Sequence, residues 1–332
     1  MTVNRQVLFA SRPQGWPTED NFRLVETPVP AVGDGELLVR NHWLSLDPYM
    51  RGRMDEGKSY AKGAALGEVM VGGTAGEVLE SKHPKFKAGD MVVGALGWQE
   101  YALSNGAGLA KIDTRMASAS YYLGVLGMPG ITAWIGLLEI GQPKSGETVV
   151  VSAASGAVGS VVGQLAKIAG CRAVGIAGGA AKCDYVVREL GFDACVDYKA
   201  GRLYEDLKAA TPDGVDVYFE NVGGEIADAV LRRMNTFARM PVCGLISQYN
   251  ATEPYGMKNL RSVLVNRVRM QGFIVTDRMD LWPRAMSELA GWLRDGRLKY
   301  RESVAEGLAQ APQAFIGLLK GRNFGKQLVK LI

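Results

Sequence analysis

The chain has 332 residues, 47% hydrophobic and 22% charged, a globular balance that excludes disordered and fibrous classes. That length implies about two domains. Its net charge of +4 comes from 38 basic and 34 acidic residues mixed along the chain, with no like-charge run to bind nucleic acid or a membrane surface. Two histidines, His42 and His83, and four cysteines without Cys-x-x-Cys spacing argue against a disulfide scaffold and against zinc chemistry.

In chain order, the apolar stretch at 7–10 is too short for a signal-peptide core. Up to about residue 113, strand-length apolar runs at 36–41, 69–78 and 91–94 alternate with turn signals at 87–90 and Asn105-Gly106. This style predicts a small barrel or sandwich. Residues 116–138 carry no charge, but Pro129-Gly130 interrupts them. They read as two buried helices around a turn rather than a membrane span. A reduced, cytoplasmic protein is expected.

From residue 148 the pattern changes. Apolar, β-branched runs at 148–153, 172–177, 194–197, 215–221, 237–244 and 270–275 are predicted strands. Helical spacing appears at 157–169, 180–190, 203–209 and 281–293. The alternation predicts βαβ units and a doubly wound parallel α/β sheet covered on both faces. The last forty residues read as irregular, ending in a strand-like 327–332 that is expected to rejoin the first domain. The expected boundaries are 1–126, 127–296 and 297–332.

The strongest local signal is the glycine-rich stretch 149–167. A G-x-G-x-x-G frame falls on Ala154, Gly156 and Gly159, with alanine in place of the first glycine. Gly156 permits close approach to a pyrophosphate, Gly159 lets helix and strand pack closely, and the helix start supplies free N–H groups. The frame follows a strand and opens a helix, the context a dinucleotide site requires. About twenty residues on, where an NAD-preferring site places an acid, stands Gly178, with Lys182 four residues beyond. A 2′-phosphate suits a lysine, so NADPH is the expected cofactor. The first domain lacks cysteine, no metal site is expected, and hydrogen-bond donors must activate the substrate.

These features, with the motifs FENVGG (219–224), CGLISQYN (243–250), LSLDPYMRGRM (44–54), GVLGMPGITAW (124–134) and NFGK (323–326), identify a close resemblance. The chain resembles the zinc-independent medium-chain reductases, in the branch of alkenal, prostaglandin and curcumin reductases. The resemblance spans essentially the whole chain. It implies a Rossmann sheet joined to a GroES-like β-rich domain, a homodimer, and reduction of the carbon–carbon double bond of α,β-unsaturated ketones and aldehydes. It places the pyrophosphate on Gly156, Ala157, Val158, Gly159 and Ser160, and the 2′-phosphate on Lys182 and Tyr198. Further cofactor contacts are implied at Asn221, at Cys243, Gly244, Leu245, Ile246, Ser247 and Tyr249, at Phe273, Ile274 and Val275, and at Asn323.

Tyr249 and Tyr49 are implied as the polar groups at the substrate. A phenol, titrating near 10, donates a hydrogen bond to a developing enolate while staying protonated at neutral pH. Tyr249 is the expected donor and Tyr49 the pocket-lining partner, with Tyr60 a weaker candidate. Arg51 and Arg53 read as structural pairs. Two rival functions remain at this stage: a quinone reductase of the same fold and a non-catalytic NADPH-binding protein. The loops at 55–65 and 251–259 shape the pocket.

Overall fold

A computed structural model describes residues 3–332. The chain forms two compact units, Met1–Gly124 with Glu302–Ile332, and Val125–Arg301.

The first unit begins with the antiparallel pair β1 (Val3–Phe9) and β2 (Phe22–Pro28). The long β3 (Leu37–Ser45) leads through a tight turn into the short helix α1 (Tyr49–Arg53). Strands β4 (Thr74–Ser81), β5 (Met91–Gly94), β6 (Tyr101–Ser104) and β7 (Ala110–Lys111) follow. The 69–78 run becomes a strand only from Thr74. At Gly72 a Cβ would lie 2.8 Å from the Trp98 ring, so the indole occupies the space that a regular strand's side chains would fill.

The second unit holds the alternating segment. Helix α2 (Met128–Trp134) opens with Pro129, which needs no amide partner at a helix start. Pro129 therefore begins a helix rather than turning the chain between two. A π-helical segment, Ile135–Gly141, continues from it. Then come β8 (Thr148–Ser152), α3 (Gly159–Ile168), β9 (Arg172–Ala177), α4 (Ala180–Arg188), β10 (Ala194–Asp197) and α5 (Leu203–Ala210). The run ends with β11 (Val215–Phe219), α6 (Gly224–Leu231), β12 (Met234–Val242), α7 (Arg261–Val265), β13 (Arg269–Gly272) and α8 (Trp282–Arg294).

All six strands are parallel, in the order β10-β9-β8-β11-β12-β13. That is a doubly wound sheet whose direction of winding reverses between β8 and β11. Every residue of β8 is buried, as expected of a central strand covered on both faces. One core packs Val150, Val174, Ile176, Tyr218 and Val230 together.

The chain then returns to the first unit. Strand β14 (Glu302–Glu306) and β15 (Lys326–Lys330) join its seven-stranded sheet, β15 pairing antiparallel with β3. Between them lies α9 (Ala311–Leu319), a helix where the sequence reads as irregular. Its buried face explains it: Phe315 meets Trp98 edge-on at 5.7 Å, and Trp98 stacks on Phe22 at 5.3 Å. Among the described residues, no helix is long and apolar enough to cross a membrane.

Candidate cofactor and substrate site

Because the six strands run parallel, the loops that follow them open on one edge of the sheet. Six groups of candidate residues lie there: 156–160 after β8, Gly178 and Lys182 after β9, Tyr198 after β10, Asn221 after β11, 243–249 after β12 and 273–275 after β13. The reversal between β8 and β11 marks the crevice where open α/β sheets bind ligands.

The turn after β8 departs from the usual glycine frame in an instructive way. Ala153, not Ala154, takes the positive φ, at 52°. The Ala154 methyl is admitted because neighbouring Gly175 has no side chain; a Cβ there would sit 2.7 Å from it. Gly159 is obligatory, since its Cβ would meet the Ala153 carbonyl oxygen at 2.3 Å. At Gly156 a Cβ would meet only that same oxygen, at 3.1 Å, so the backbone is approachable there. Helix α3 then starts without a side-chain cap; its Ser160 and Val161 N–H groups donate to the Gly156 and Val158 carbonyls, both at 3.0 Å, so an anion would meet the turn just ahead of them.

The outer end of the crevice is cationic. Burial, and then the neighbouring Lys199 charge, hold the Lys182 ammonium below the ordinary lysine range. Tyr198 and Lys199 close over Gly178, whose Cβ would lie 2.9 Å from the Tyr198 hydroxyl and 3.0 Å from Lys199 Cε. The Asp197 carboxylate fixes this turn, accepting from the Gly179 N–H at 2.7 Å and the Lys199 N–H at 2.9 Å. Two lysines whose charges repel, beside a phenol and over a bare glycine, fit a phosphate dianion.

The inner end is built around a buried carboxylate. Glu220 Oε1 accepts from the Ser152 hydroxyl at 2.9 Å and the Val222 N–H at 2.5 Å, and Oε2 accepts from the Tyr218 hydroxyl at 2.8 Å. Burial pushes this carboxyl above the usual carboxylate range. Asn221 donates its N–H to the Ser152 hydroxyl and its side-chain amide to the Ser152 carbonyl, both at 2.8 Å, bridging β8 and β11. The Glu220 carbonyl accepts from the Cys243 and Gly244 N–H groups at 2.9 and 3.2 Å. The Asn221 and Val222 carbonyls accept from Ile246 and Ser247 N–H at 3.1 and 3.0 Å. The 243–247 loop thus rests on the 220–222 segment.

Tyr249 follows a short 3₁₀ turn, Ile246–Gln248, and folds back over this loop. Its hydroxyl accepts from the Leu245 N–H at 3.3 Å and stands 3.0 Å from where a Gly244 Cβ would be. Burial pushes the Cys243 thiol up to about 12, so it stays neutral. Strand β13 ends at Gly272, earlier than its apolar run suggests. Phe273 turns its ring onto Phe219 at 6.2 Å, spending the side chain on packing. Ile274 and Val275 follow, with a 3₁₀ segment starting at Val275.

In the first unit, Tyr49 opens α1 directly after Asp47-Pro48. Its phenol is held above the ordinary range, by burial first and then by the Asp47 charge. Tyr60 is 62% exposed. Arg51 is buried, paired with Asp55 at 2.6 Å and donating to the Gly15 carbonyl at 2.9 Å. Asn323 donates to the Gly325 carbonyl at 2.9 Å in the turn before β15. His42 lies 4.0 Å from Glu77, and His83 packs against Phe86. Among the described residues no group of three or more His, Cys, Asp or Glu is arranged to hold a metal ion.

Residues 5–112 match a family model described as the N-terminal domain of oxidoreductase, and 157–291 match one described as zinc-binding dehydrogenase. An NADPH-dependent curcumin reductase of Escherichia coli (strain K12) is 51% identical, over 99% of this chain and 97% of that protein. A 2-alkenal reductase (NADP(+)-dependent) of Nicotiana tabacum is 45% identical, over 98% and 97%. The chain belongs to the zinc-independent medium-chain reductases. The crystal structure of CurA from Vibrio vulnificus in complex with NADPH superimposes with a TM-score of 0.95 at 49% identity, covering 99% of each chain.

In this zinc-independent reductase, Glu220, Ser152, Asp197 and Lys199 are site residues that no sequence pattern marks. Lys199 reads only as a second cation adjoining Tyr198. Glu220 stands inside the FENVGG motif, but its role depends on one donor, Ser152, that is 68 residues away, a separation that local pattern does not reveal.

Proposed function

We propose that this protein is an NADPH-dependent reductase of the carbon–carbon double bond of α,β-unsaturated ketones and aldehydes. The observation that carries the reading is the Lys182–Tyr198–Lys199 cluster over Gly178, joined to relatives named as curcumin and 2-alkenal reductases. When bound, the cofactor supplies a hydride to the substrate's β-carbon. This chain's residues do the rest. Lys182, Lys199 and Tyr198 hold the 2′-phosphate, and 156–160 with the start of α3 hold the pyrophosphate. Asn221, 243–249 and 273–275 would complete the cofactor cradle in the second unit.

As the substrate carbonyl oxygen gains enolate charge, Tyr249 donates a hydrogen bond to it; the Leu245 N–H orients the phenol by using its acceptor side. Tyr49, kept neutral by its surroundings in the first unit, is the second phenol proposed for the substrate, and it introduces no charge. Tyr249→Phe is expected to lower kcat on an enone about 100-fold, in line with removal of one donor to a developing oxyanion, while the Kd for NADPH stays within about twofold. Undiminished turnover would remove Tyr249 from this role. Product analysis decides the activity: a saturated carbonyl supports the reading, and oxidation of NADPH by quinones alone overturns it.

We infer that the active form is a cytoplasmic homodimer. Strand β13 is an open sheet edge with Arg269, Gln271 and Gly272 exposed, and Phe237, Leu260, Leu264 and Val265 expose apolar surface in the same unit. Such an edge invites pairing with a second copy. A monomeric mass in light scattering would contradict the dimer.

A further inference from the structure

The C-terminal strand carries a charge that none of the chemistry above uses. Lys326 is 1% exposed, and its ammonium donates to Asp47 Oδ1 at 2.6 Å and to the Leu46 carbonyl at 2.8 Å. The other Asp47 oxygen accepts from the Ser45 hydroxyl. Asp47 is itself buried. An ion pair this deep gives up hydration that its own attraction barely restores, so stability alone explains it poorly.

Its location is more informative. Leu46 and Asp47 form the turn that delivers Tyr49 to the start of α1, and the Asp47 and Pro48 carbonyls accept from the Met50 and Arg51 N–H groups at 3.1 and 3.0 Å. Lys326 lies at the start of β15, which pairs with the end of β3. It therefore ties that turn to the sheet from a point 279 residues away in sequence.

We propose that Lys326 is a positioning residue for Tyr49, holding the 45–49 turn through Asp47 and neutralising the carboxylate that faces the phenol. The inference rests on the reading of the Tyr49 hydroxyl as one of the polar groups at the substrate. The charged and titratable groups facing this cluster are few. Glu302 pairs with Lys326 across the β14–β15 ladder. Arg53 and Tyr60 face Tyr49 along with Asp47. With the ammonium removed, Asp47 loses its countercharge and the Leu46 carbonyl loses its donor, and the turn is left tied to the strand through the Leu46 N–H, which donates to the Gln327 carbonyl at 3.2 Å.

The test compares Lys326→Met, Asp47→Asn, their double variant and Tyr49→Phe at a temperature where each is folded by circular dichroism. Enone kcat and KM are read alongside the Kd for NADPH from fluorescence quenching. Lys326→Met and Asp47→Asn are each expected to lower kcat at least tenfold with the Kd for NADPH within twofold. The double variant should recover much of the loss, because both charges leave together and the amide oxygen introduced by Asp47→Asn still accepts from Ser45. A folded Lys326→Met enzyme with kcat within twofold of wild type, beside a slow Tyr49→Phe enzyme, overturns the proposal. So does a parallel loss of NADPH affinity, which marks a general structural role. If Tyr49→Phe keeps full kcat and KM, it is the reading of Tyr49 that fails. Should Lys326→Met not fold, Asp47→Asn and the double variant carry the same decision: wild-type kcat in Asp47→Asn overturns the proposal.

Discussion

The two ends of the crevice in the second unit are built by opposite means. At the outer end, Lys182, Tyr198 and Lys199 stand at or near the surface, and positive charge defines the site. At the inner end, Glu220 is 0% exposed and its partners are mostly backbone N–H groups and hydroxyls. Charge recognition at a surface is tolerant of geometry, since Coulomb attraction falls off slowly and side chains adjust. A buried network has no such tolerance, because each lost partner leaves a polar group unsatisfied. On the proposed reading the outer end selects the cofactor, while the inner end orders the loops beside it.

If a single carboxylate organises the inner end, Glu220→Ala should be the most damaging change considered. It strands the Tyr218 hydroxyl and the Val222 N–H, and leaves the Ser152 hydroxyl to the Phe219 carbonyl at 3.5 Å. At about 1–3 kcal/mol for each stranded group, the loss is on the order of 3 kcal/mol or more. Thermal unfolding checks this, with a fall in Tm on the order of 10 °C expected.

Glu220→Gln sharpens the point through pH. Burial raises the folded-state pKa of Glu220 above its unfolded value. Its stabilising contribution is therefore fully present below the ordinary carboxylate range and is lost as pH rises through the raised value. Glutamine does not titrate. The Tm of wild type should decline relative to Glu220→Gln as pH rises over that window, and a constant gap would refute the role of burial.

The outer end should respond in affinity rather than stability. Lys182→Ala or Lys199→Ala removes a charge-assisted contact of about 1.5–3 kcal/mol, equivalent to at least a tenfold rise in the Kd for NADPH. NADH, without the 2′-phosphate, should bind each variant as it binds wild type. An equal loss for both cofactors would show that these lysines shape the turn instead of reading the phosphate. Lys199→Ala should also raise the Lys182 pKa, since Lys199 is among the causes that lower it.

How much of this was visible beforehand follows the same division. The sheet was legible because β8, β9 and β10 are continuous apolar runs whose helices share one period, and their observed limits differ from the apolar runs by at most a residue. The positions of Lys182 and the glycine turn at the strand ends were legible because a lysine and a missing side chain act locally. Phe273 was legible as an apolar residue but not as a ring turned onto Phe219. Helix α9 was hidden because its apolar face is defined by Trp98, more than two hundred residues earlier. Glu220 and Lys326 were hidden for a related reason. A buried charge looks like a surface charge in sequence, and only its partners distinguish the two.

The smallest effect concerns the alanine that replaces the first glycine of the turn. Its methyl fits only because Gly175 leaves room, so Gly175→Ala should force contact with the Ala154 Cβ at 2.7 Å, Val186 Cγ1 at 3.0 Å and Cys195 Sγ at 3.2 Å. Overpacking of this kind costs about 1–3 kcal/mol. Adding Ala154→Gly removes the nearest of the three contacts and should return part of that loss, although alone it should be mildly destabilising through added freedom of the unfolded chain. A double-mutant cycle by denaturant unfolding should then give a favourable coupling of about 1 kcal/mol. If the two changes simply add, the pair does not share the space. The tolerance of alanine at 154 would then come from the positive φ at Ala153 instead.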